Sequence, residues 1–361
     1  MQALTPAEVP PSTEVVAPVP APSVARSVVL SDEAFTEPVT PGGYAWWYID
    51  AISDDGEHAL TAIFFIGSVF SASYAARARR GERAPAEEHL CVNLALYRRG
   101  KRVAWVMSEY DAAQLVARRP DALGIARSSL TRTPGGPLVA RIDDREAPWA
   151  LSMTGMGGAR VDGEMVLEPA CAPIPGIELA EAGSGHRWQV PIPRARLRVK
   201  FARPSLSFEG WAYHDTNRGE TRLEEALSRW SWARVHERDR MVALYTTEDR
   251  NGRRHSVLVD AKDGAPERER LPQMVPNGPA EELRPAGWGL TLPVGFSVDG
   301  GRVRAVPERL LDVAPFYARY EARLSEGGVA RGLGVGEHLD LDRFRRPGIQ
   351  FLLRFKTRDR R

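Results

Sequence analysis

The densest cluster of reactive side chains lies in the segment Trp211–Gly219, which contains Tyr213, His214, Asp215 and Arg218. We predict that this segment is a loop between a strand and a short helix, because loops often carry the polar groups that converge on a ligand. Such a loop can supply a proton donor and its partners. It can equally be a hydrogen-bonded corner that holds a domain together, since Asp and Asn are common structural residues at turns.

Aromatic side chains form two further groups, one at Trp230 and Trp232 and the other at Tyr44, Trp46 and Trp47. Residues two apart on a strand share a face, so the later tryptophans can present a paired indole surface. Such a surface lines an apolar slot or stabilises a cation through its π faces. Both groups also fit the core of a barrel, and the residues alone leave the two interpretations open.

Several other kinds of site are excluded by the sequence. The seven histidines stand without metal-ligand spacing, and the two cysteines exclude a multi-cysteine metal site or a disulfide framework. No phosphate-binding loop, dinucleotide-binding glycine pattern or G-x-S-x-G motif is present. The His186-Arg187-Trp188 triplet is interpreted as structural. We therefore expect no metal and no cofactor. The chemistry that remains is acid–base catalysis by a carboxyl, tyrosine or histidine group in an aromatic cavity.

The composition is that of an ordinary globular protein, with 361 residues, 27% charged and 43% hydrophobic side chains and a net charge of +2. The near-neutral balance argues against a dedicated nucleic-acid binder. The longest apolar run, Ala59–Phe70, is shorter than the about 20 residues that a membrane-spanning helix needs. No apolar segment follows a basic start, so we expect a cytoplasmic protein without a signal peptide.

Turn signals set the expected organisation of the chain. Residues 1–40 are rich in Pro and Ala and predict a disordered tail. Strand–turn–strand patterns with Asp-Gly or Asn-Gly turns then recur, which predicts antiparallel barrels or sandwiches. Prolines near residues 191–204 suggest two domains, 41–204 and 205–361. Only Thr221–Arg229 and Pro315–Leu324 are predicted to be helical.

The C-terminal stretch from Arg343 carries eight Lys or Arg residues against one acid, Asp359. Phenylalanine and leucine residues lie between these charges. Such a stretch can dock on anionic lipid headgroups, or it can form a last barrel strand followed by a solvated basic tail.

Motifs spread along the chain after about residue 40 resemble the carotenoid 1,2-hydratase family, also called hydroxyneurosporene synthases. They are Pro41-Gly42-Gly43-Tyr44, Trp46-Trp47-Tyr48, Ser53-Asp54-Asp55-Gly56, Phe65-Ile66-Gly67-Ser68-Val69-Phe70-Ser71, Asn93 with Ala95-Leu96-Tyr97, His186-Arg187-Trp188, Tyr213-His214-Asp215 with Asn217 and Gly219, Ala314-Pro315-Phe316-Tyr317, and Asp342-Arg343-Phe344. So many separated, ordered matches make the resemblance specific. Thr216 and Arg218 depart from it, because family members tend to carry a histidine and an aromatic residue there.

The resemblance implies two lipocalin-like, all-β domains and a cofactor-free hydration of the terminal 1,2 double bond of an acyclic carotenoid such as neurosporene or lycopene. It also implies a carotenogenic or photosynthetic bacterium and an enzyme that is cytoplasmic or peripheral at the inner membrane. An acid protonates the alkene, and water captures the resulting tertiary carbocation. A carboxylic acid can be that donor only where apolar surroundings raise its pKa.

In this reaction Asp215 is the expected proton donor, His214 orients it, and Tyr213 or Tyr245 holds the water. The substrate-binding set is Tyr44, Trp46, Trp47, Arg218, Trp230 and Trp232, whose aromatic members stabilise the cation. Asn217 is expected to structure its loop.

Two alternatives remain open on the same scaffold. A cyclase or isomerase of a polyene natural product would share the protonation cavity but add no water. A non-catalytic carrier of apolar ligands would bind a carotenoid without turnover, since a fold alone does not determine function.

Overall fold

Antiparallel strands make up most of the chain, and this confirms the predicted all-β fold. A computed structural model describes residues 33–147, 158–179, 186–265, 267–280, 282–353 and 357–358. Within these ranges the strands form three sheets of 13, eight and two strands.

The first sheet is curled, and its strand order is β23-β4-β3-β2-β1-β12-β11-β9-β8-β7-β6-β5, with β10 paired to β11. Its strands are β1 (Tyr44–Ser53), β2 (His58–Ile66), β3 (Leu90–Arg98), β4 (Lys101–Tyr110), β5 (Leu115–Arg119), β6 (Ala122–Ile125), β7 (Ser128–Arg132), β8 (Leu138–Arg145), β9 (Arg160–Pro169), β10 (Ile174–Glu178), β11 (Arg187–Arg203), β12 (Leu206–Gly219) and β23 (Thr357–Arg358). β23 runs parallel to β4, and the other pairs are antiparallel.

The second sheet is a nearly closed barrel with the order β16-β15-β14-β13-β22-β21-β20-β19. An isolated bridge between Asn277 and Val298 links its two ends. Its strands are β13 (Leu227–Glu237), β14 (Arg240–Asp249), β15 (Arg254–Lys262), β16 (Gln273–Val275), β19 (Phe296–Val298), β20 (Val303–Ala314), β21 (Tyr317–Glu326) and β22 (Val329–Asp340), while β17 (Leu283–Gly287) and β18 (Leu290–Pro293) form a separate hairpin.

Helices are short in the described part of the chain. They are α1 (Ala72–Arg79), α2 (Leu223–Ala226), α3 (Glu267–Arg270), α4 (Leu341–Phe344) and α5 (Pro347–Leu352), with 3₁₀ turns at Ala86–Glu88, Ala112–Gln114 and Asp299–Gly301. No described helix has the length and apolar character required to cross a bilayer.

Both helix predictions need correction. The helix predicted over Thr221–Arg229 is only the four residues of α2, which begins after Arg222, and its first turn has no side-chain cap. The helix predicted over Pro315–Leu324 is wrong, because most of that segment belongs to β21. The residues of β21 alternate between two packed faces, and pairing with β20 and β22 satisfies its backbone.

The change from one sheet to the other comes after β12. β12 lies between β1 and β11 in the first sheet, so the predicted boundary at residues 204 and 205 falls in the turn between two neighbouring strands. The second sheet begins with β13, at Leu227.

Ordered packing begins before residue 41. Glu33 and Phe35 are buried, and the indole Nε1 of Trp47 donates to the Glu33 carbonyl over 2.8 Å. Residues 33–40 of the predicted tail therefore pack against the first sheet, and residues 1–32 lie outside the described residues. At the other end of the chain, Phe344 is buried, and residues 354–356 and 359–361 of the basic stretch also lie outside the described residues.

The strand β1 is buried along both faces because it separates two cores. One face, with Ala45, Trp47 and Ile49, packs inside the first sheet. The other face, with Tyr44 and Trp46, packs against the second sheet in a core that both sheets share. Alternation along a strand therefore gives β1 an aromatic face at the interface between the sheets.

Candidate active site

The polar cluster at 211–219 is part of β12, so the prediction of a loop is wrong. Alternation along the strand divides its side chains between the two faces. Tyr213 and Asp215 point to the interface core, whereas His214 and Arg218 point away from it. A strand replaces the expected loop because distant partners satisfy these polar groups on both faces.

Asp215 lies in the interface core with only 4% of its surface exposed. Its Oδ2 accepts hydrogen bonds from the Tyr213 hydroxyl at 2.8 Å and from the Trp188 indole at 3.0 Å. Its Oδ1 accepts one from Asn217 Nδ2 at 3.0 Å. Two donors occupy the lone pairs of Oδ2, so Oδ1 is the oxygen with a lone pair left for an acidic proton.

Burial raises the pKa of the Asp215 carboxyl to about 7, although the hydrogen bonds from Trp188 and Tyr213 lower it. Burial disfavours the charged form, while donors directed at the carboxylate favour it. The balance leaves a substantial fraction of Asp215 protonated at neutral pH. A carboxyl group in this state is suited to donate a proton.

A small cavity lies beside Asp215, between the two sheets. The space open to water within it is about 20 Å³, enough for about one water molecule. The lining residues are Trp46, Tyr48, Asp215, Asn217, Trp230, Trp232, Tyr245 and Glu337. Most of this wall is therefore the faces and edges of aromatic rings.

Tyr44 packs behind the wall, in sequence with two of its rings. Tyr44 stacks on Trp46 with the ring centroids 5.1 Å apart, and Trp46 lies 5.7 Å from Trp230. Within the described residues, the indole N–H groups of Trp230 and Trp232 are buried without a hydrogen-bond partner. Because an unsatisfied buried donor is unfavourable, these groups mark positions where a polar atom of a ligand or a water would be bound.

His186 joins the two sheets behind the cavity. Its Nδ1 lies 2.6 Å from the Tyr44 hydroxyl and its Nε2 lies 3.1 Å from the Tyr245 hydroxyl. Burial lowers the pKa of His186 to about 3, and it raises the pKa of both tyrosines above their usual range. All three groups are therefore neutral at physiological pH, and the imidazole fixes the orientation of both hydroxyls.

The opposite wall carries a second carboxyl group. The Tyr48 hydroxyl donates to Glu337 Oε1 over 3.2 Å, from the first sheet to the second. Arg319 Nε donates to the same oxygen over 3.0 Å, and Arg319 Nη1 donates to the Tyr97 hydroxyl over 3.0 Å. Glu337 is thus held from both sheets.

Three residues of the predicted site lie on the far side of the first sheet. His214 Nδ1 lies 2.8 Å from the Tyr48 carbonyl and its Nε2 lies 2.5 Å from Glu33 Oε2. Trp47 is fully buried in the same layer, and the Arg218 guanidinium lies 5.6 Å from its ring. His214 therefore does not orient Asp215, and neither Trp47 nor Arg218 lines the cavity. The period of two along β1 and β12 is the physical reason.

The departures from the family pattern, Thr216 and Arg218, also lie away from the cavity. Arg218 donates to the backbone carbonyls of Ala34 and Glu37, and Thr216 is not among the lining residues. The Arg218 side chain therefore joins the segment before β1 to the first sheet.

The structure brings together seven predicted residues and adds five that the predicted site did not include. Around the cavity and its hydrogen-bonded shell it assembles Tyr44, Trp46, Tyr213, Asp215, Trp230, Trp232 and Tyr245, with His186, Trp188, Asn217, Tyr48 and Glu337 in addition. Tyr48 and Asn217 were detectable by alternation with Trp46 and Asp215. Glu337 carried no local signal, because its partners are remote in sequence.

Comparison with known proteins gives a consistent result. A model of the carotenoid hydratase CrtC family matches residues 62–361. The acyclic carotenoid 1,2-hydratase of Thiocapsa roseopersicina is 36% identical over 322 residues, which cover 88% of this chain and 73% of that protein. The enzyme of the same name from Rhodobacter capsulatus is 31% identical over 295 residues, covering 81% of this chain and 95% of that protein.

Solved structures share the fold at low sequence identity. CghA with Sch210972 aligns with a TM-score of 0.56 at 12% identity, covering 89% of this chain and 96% of that chain. Kievitone hydratase from Nectria haematococca aligns with a TM-score of 0.54 at 10% identity, covering 88% and 95%. These structures show the fold alone, whereas the family match over residues 62–361 and the relative at 36% identity show that the chain belongs to the carotenoid hydratase CrtC family.

Proposed function

We propose that this hydratase adds water to the terminal 1,2 double bond of an acyclic carotenoid such as neurosporene or lycopene, without a cofactor. The observation that carries the proposal is Asp215, a buried carboxyl with a pKa of about 7 beside an aromatic cavity. The relatives at 36% and 31% identity are named acyclic carotenoid 1,2-hydratases, which supports the choice of substrate.

The first step is transfer of the Asp215 proton to the less substituted carbon of the terminal alkene. The more substituted carbon becomes a tertiary cation, and Asp215 becomes a carboxylate. The donors from Tyr213, Trp188 and Asn217 stabilise that carboxylate. Because these hydrogen bonds are already formed before the reaction, little reorganisation is needed when the charge develops.

The cation is stabilised by the aromatic wall. Trp46, Trp230 and Trp232 line the cavity, and a desolvated cation over an indole face gains about 2 kcal/mol or more. Tyr245 is better suited than Tyr213 to hold the water, because Tyr245 lines the cavity while the Tyr213 proton is donated to Asp215.

Entry of the substrate requires a change in the cavity. Its water-accessible space of about 20 Å³ is far below the volume of an isoprenoid end, so the aromatic side chains must part to admit it. A carotenoid is about as long as a bilayer is thick, and one end must therefore reach the cavity while the rest stays in an apolar environment. Peripheral contact with the membrane through the basic C-terminal stretch would provide such a route.

The test is incubation of the purified protein with lycopene, followed by mass spectrometry for a product heavier by one water. We expect Asp215→Asn to bind lycopene but to lower turnover by about 10²- to 10⁴-fold. The matched control is Asp144→Asn, which changes another buried aspartate that is hydrogen-bonded by Ser108 and Tyr110. The control should retain activity.

The outcomes separate the competing functions. A product of unchanged mass would indicate a cyclase or isomerase. Binding of lycopene by the unmodified chain without any product would indicate a carrier. Full turnover in Asp215→Asn would exclude this residue as the acid while leaving the hydratase intact.

A further inference from the structure

Two carboxyl groups line the aromatic cavity, and they come from opposite sheets. Asp215 lies on β12 of the first sheet and Glu337 on β22 of the second. Among the described residues that form the lining, no other carries a carboxyl group. We propose that Glu337 is the general base of the hydration and accepts the proton that the attacking water releases. This inference rests on the function proposed above.

The reaction requires an acceptor for that proton. When water bonds to the tertiary cation, its oxygen becomes positively charged and must lose a proton to give the alcohol. The cavity has space for about one water molecule, so few water molecules lie beside the cation to take the proton. A base in the cavity wall removes the proton as the carbon–oxygen bond forms, which is general base catalysis.

Glu337 has the position and the surroundings that this role needs. It is 6% exposed, and it lies opposite Trp232 in the register of β13 and β22. Its ion pair with Arg319 and its hydrogen bond from Tyr48 both involve Oε1. These contacts fix the carboxylate against the aromatic wall and anchor it to both sheets.

Polar groups that can bind the water line the same cavity as this carboxylate. The indole N–H groups of Trp230 and Trp232 and the Oδ1 of Asn217 are buried in the lining, without a hydrogen-bond partner among the described residues. A buried water usually makes about three hydrogen bonds. A water bound to these groups would lie in the cavity that Asp215 and Glu337 both line.

The atoms and charges balance over one turnover. The O–H bond of Asp215 breaks and a C–H bond forms, and the π electrons supply that bond. A lone pair of water forms the C–O bond, and one water O–H bond breaks as its proton passes to the Glu337 carboxylate. Glu337 is then protonated and Asp215 ionised. Transfer of one proton from Glu337 to Asp215, directly or through solvent, restores the starting state.

The rival arrangement uses Asp215 alone, which would protonate the alkene and then take the proton from water. Deuterium exchange separates the two arrangements, because the cation can also return to the alkene by losing a proton from the carbon that was protonated. In D₂O, protonation followed by return introduces deuterium into recovered lycopene whenever the hydrogen lost is not the deuteron just added. Deuterium exchange therefore measures protonation of the alkene by Asp215, and alcohol formation measures capture of the cation by water.

The experiment uses Glu337→Gln in the full chain with lycopene in D₂O, and mass spectrometry of both the recovered lycopene and the alcohol. We expect alcohol formation to fall by about 10²-fold or more, while deuterium exchange stays within about threefold of the unmodified enzyme. Asp215→Asn should lose both signals. Glu337→Ala with added formate should regain alcohol formation, because formate can take the place of the missing carboxylate.

The matched control is Glu321→Gln, which removes another buried glutamate paired with an arginine, Arg309, outside the cavity lining. It should keep both signals. Near-normal alcohol formation in Glu337→Gln would overturn the inference and leave the proposed function standing. A folded Glu337→Gln variant that loses exchange as well as alcohol would also overturn it, since the role would then be positioning. If the unmodified enzyme gives no alcohol, the proposed function fails first and the inference with it.

Discussion

The Tyr48 hydroxyl on β1 donates a hydrogen bond to Glu337 Oε1 on β22, with the two oxygens 3.2 Å apart. This contact joins the first sheet to the second at the wall of the cavity. The carboxyl groups of Asp215 and Glu337 therefore reach their relative positions only when the two sheets are packed together. Any change that separates the sheets should reduce activity even where every side chain is retained.

Activity should depend on the protonated form of Asp215. Its pKa is about 7, so the rate should fall roughly tenfold for each pH unit above that value. Tyr213→Phe removes a donor that favours the carboxylate, which raises the pKa of Asp215 and moves this fall to higher pH. The pH profile of kcat/KM for both proteins checks this. A fall that shifts to lower pH in the variant would contradict the assignment.

The ionisation of Asp215 should also make the free energy of unfolding depend on pH, in a direction that its raised pKa fixes. Burial raises the pKa of Asp215 from 3.8 to about 7 in the folded state, so its contribution is fully present below about pH 4 and is lost as the pH rises through 7. The unfolding free energy of the unmodified chain minus that of Asp215→Asn should therefore decrease between pH 4 and 7. The decrease should reach at most roughly 4 kcal/mol.

Urea denaturation of both proteins across this range checks the difference. Taking the difference between the two proteins removes the effect of His186. Burial lowers the pKa of His186 to about 3, so its effect on the unfolding free energy changes with pH in the opposite direction. Its contribution is lost progressively as the pH falls from 6.5 to about 3, and it is common to both proteins. A difference that does not change with pH would show that Asp215 titrates normally.

The aromatic wall should stabilise the carbocation more than it strengthens binding of the substrate. Trp232→Leu should lower kcat by about 10- to 100-fold, because it removes a desolvated π face worth about 2 kcal/mol. The control is Trp47→Leu, which removes a fully buried indole from the far side of β1. We expect that variant to lose a few kcal/mol of stability while the folded fraction keeps its kcat. Comparing kcat per folded molecule for the two variants is the measurement.

The packing of Tyr44 should be sensitive to Gly219. A Cβ at Gly219 would lie 2.4 Å from the Tyr44 ring, and that ring is held by its stacking on Trp46 and its hydrogen bond to His186. Gly219→Ala should therefore destabilise the protein by about 1–3 kcal/mol and weaken activity.

Gly176→Ala is the matched control for this substitution. A Cβ at Gly176 meets its nearest neighbour at 3.5 Å, an ordinary contact, so this variant should keep both properties. Equal stability of the two variants in denaturant titrations would argue against a tightly held Tyr44.

The position of Asp215 illustrates why the candidate site was only partly predictable. Its polar neighbours along the chain suggested a loop, yet residues 212–219 of β12 form a strand that is buried on both faces. On one face of β12, the Trp188 indole donates a hydrogen bond to Asp215. On the other face, His214 contacts Glu33. These partners are far away in sequence, and no local pattern identifies them.

The amino-acid sequence by itself determined the antiparallel strands, the aromatic character of β1 and the chemical types that we propose for protonating an alkene. Strand turns and alternation are local properties, and so they can be read from neighbouring residues. Only the tertiary structure decided which face of β12 meets the cavity, that His214, Trp47 and Arg218 lie behind it, and that Glu337 lines the same cavity as Asp215. Those relationships depend on the register between distant strands and on the docking of two sheets, which long-range packing sets.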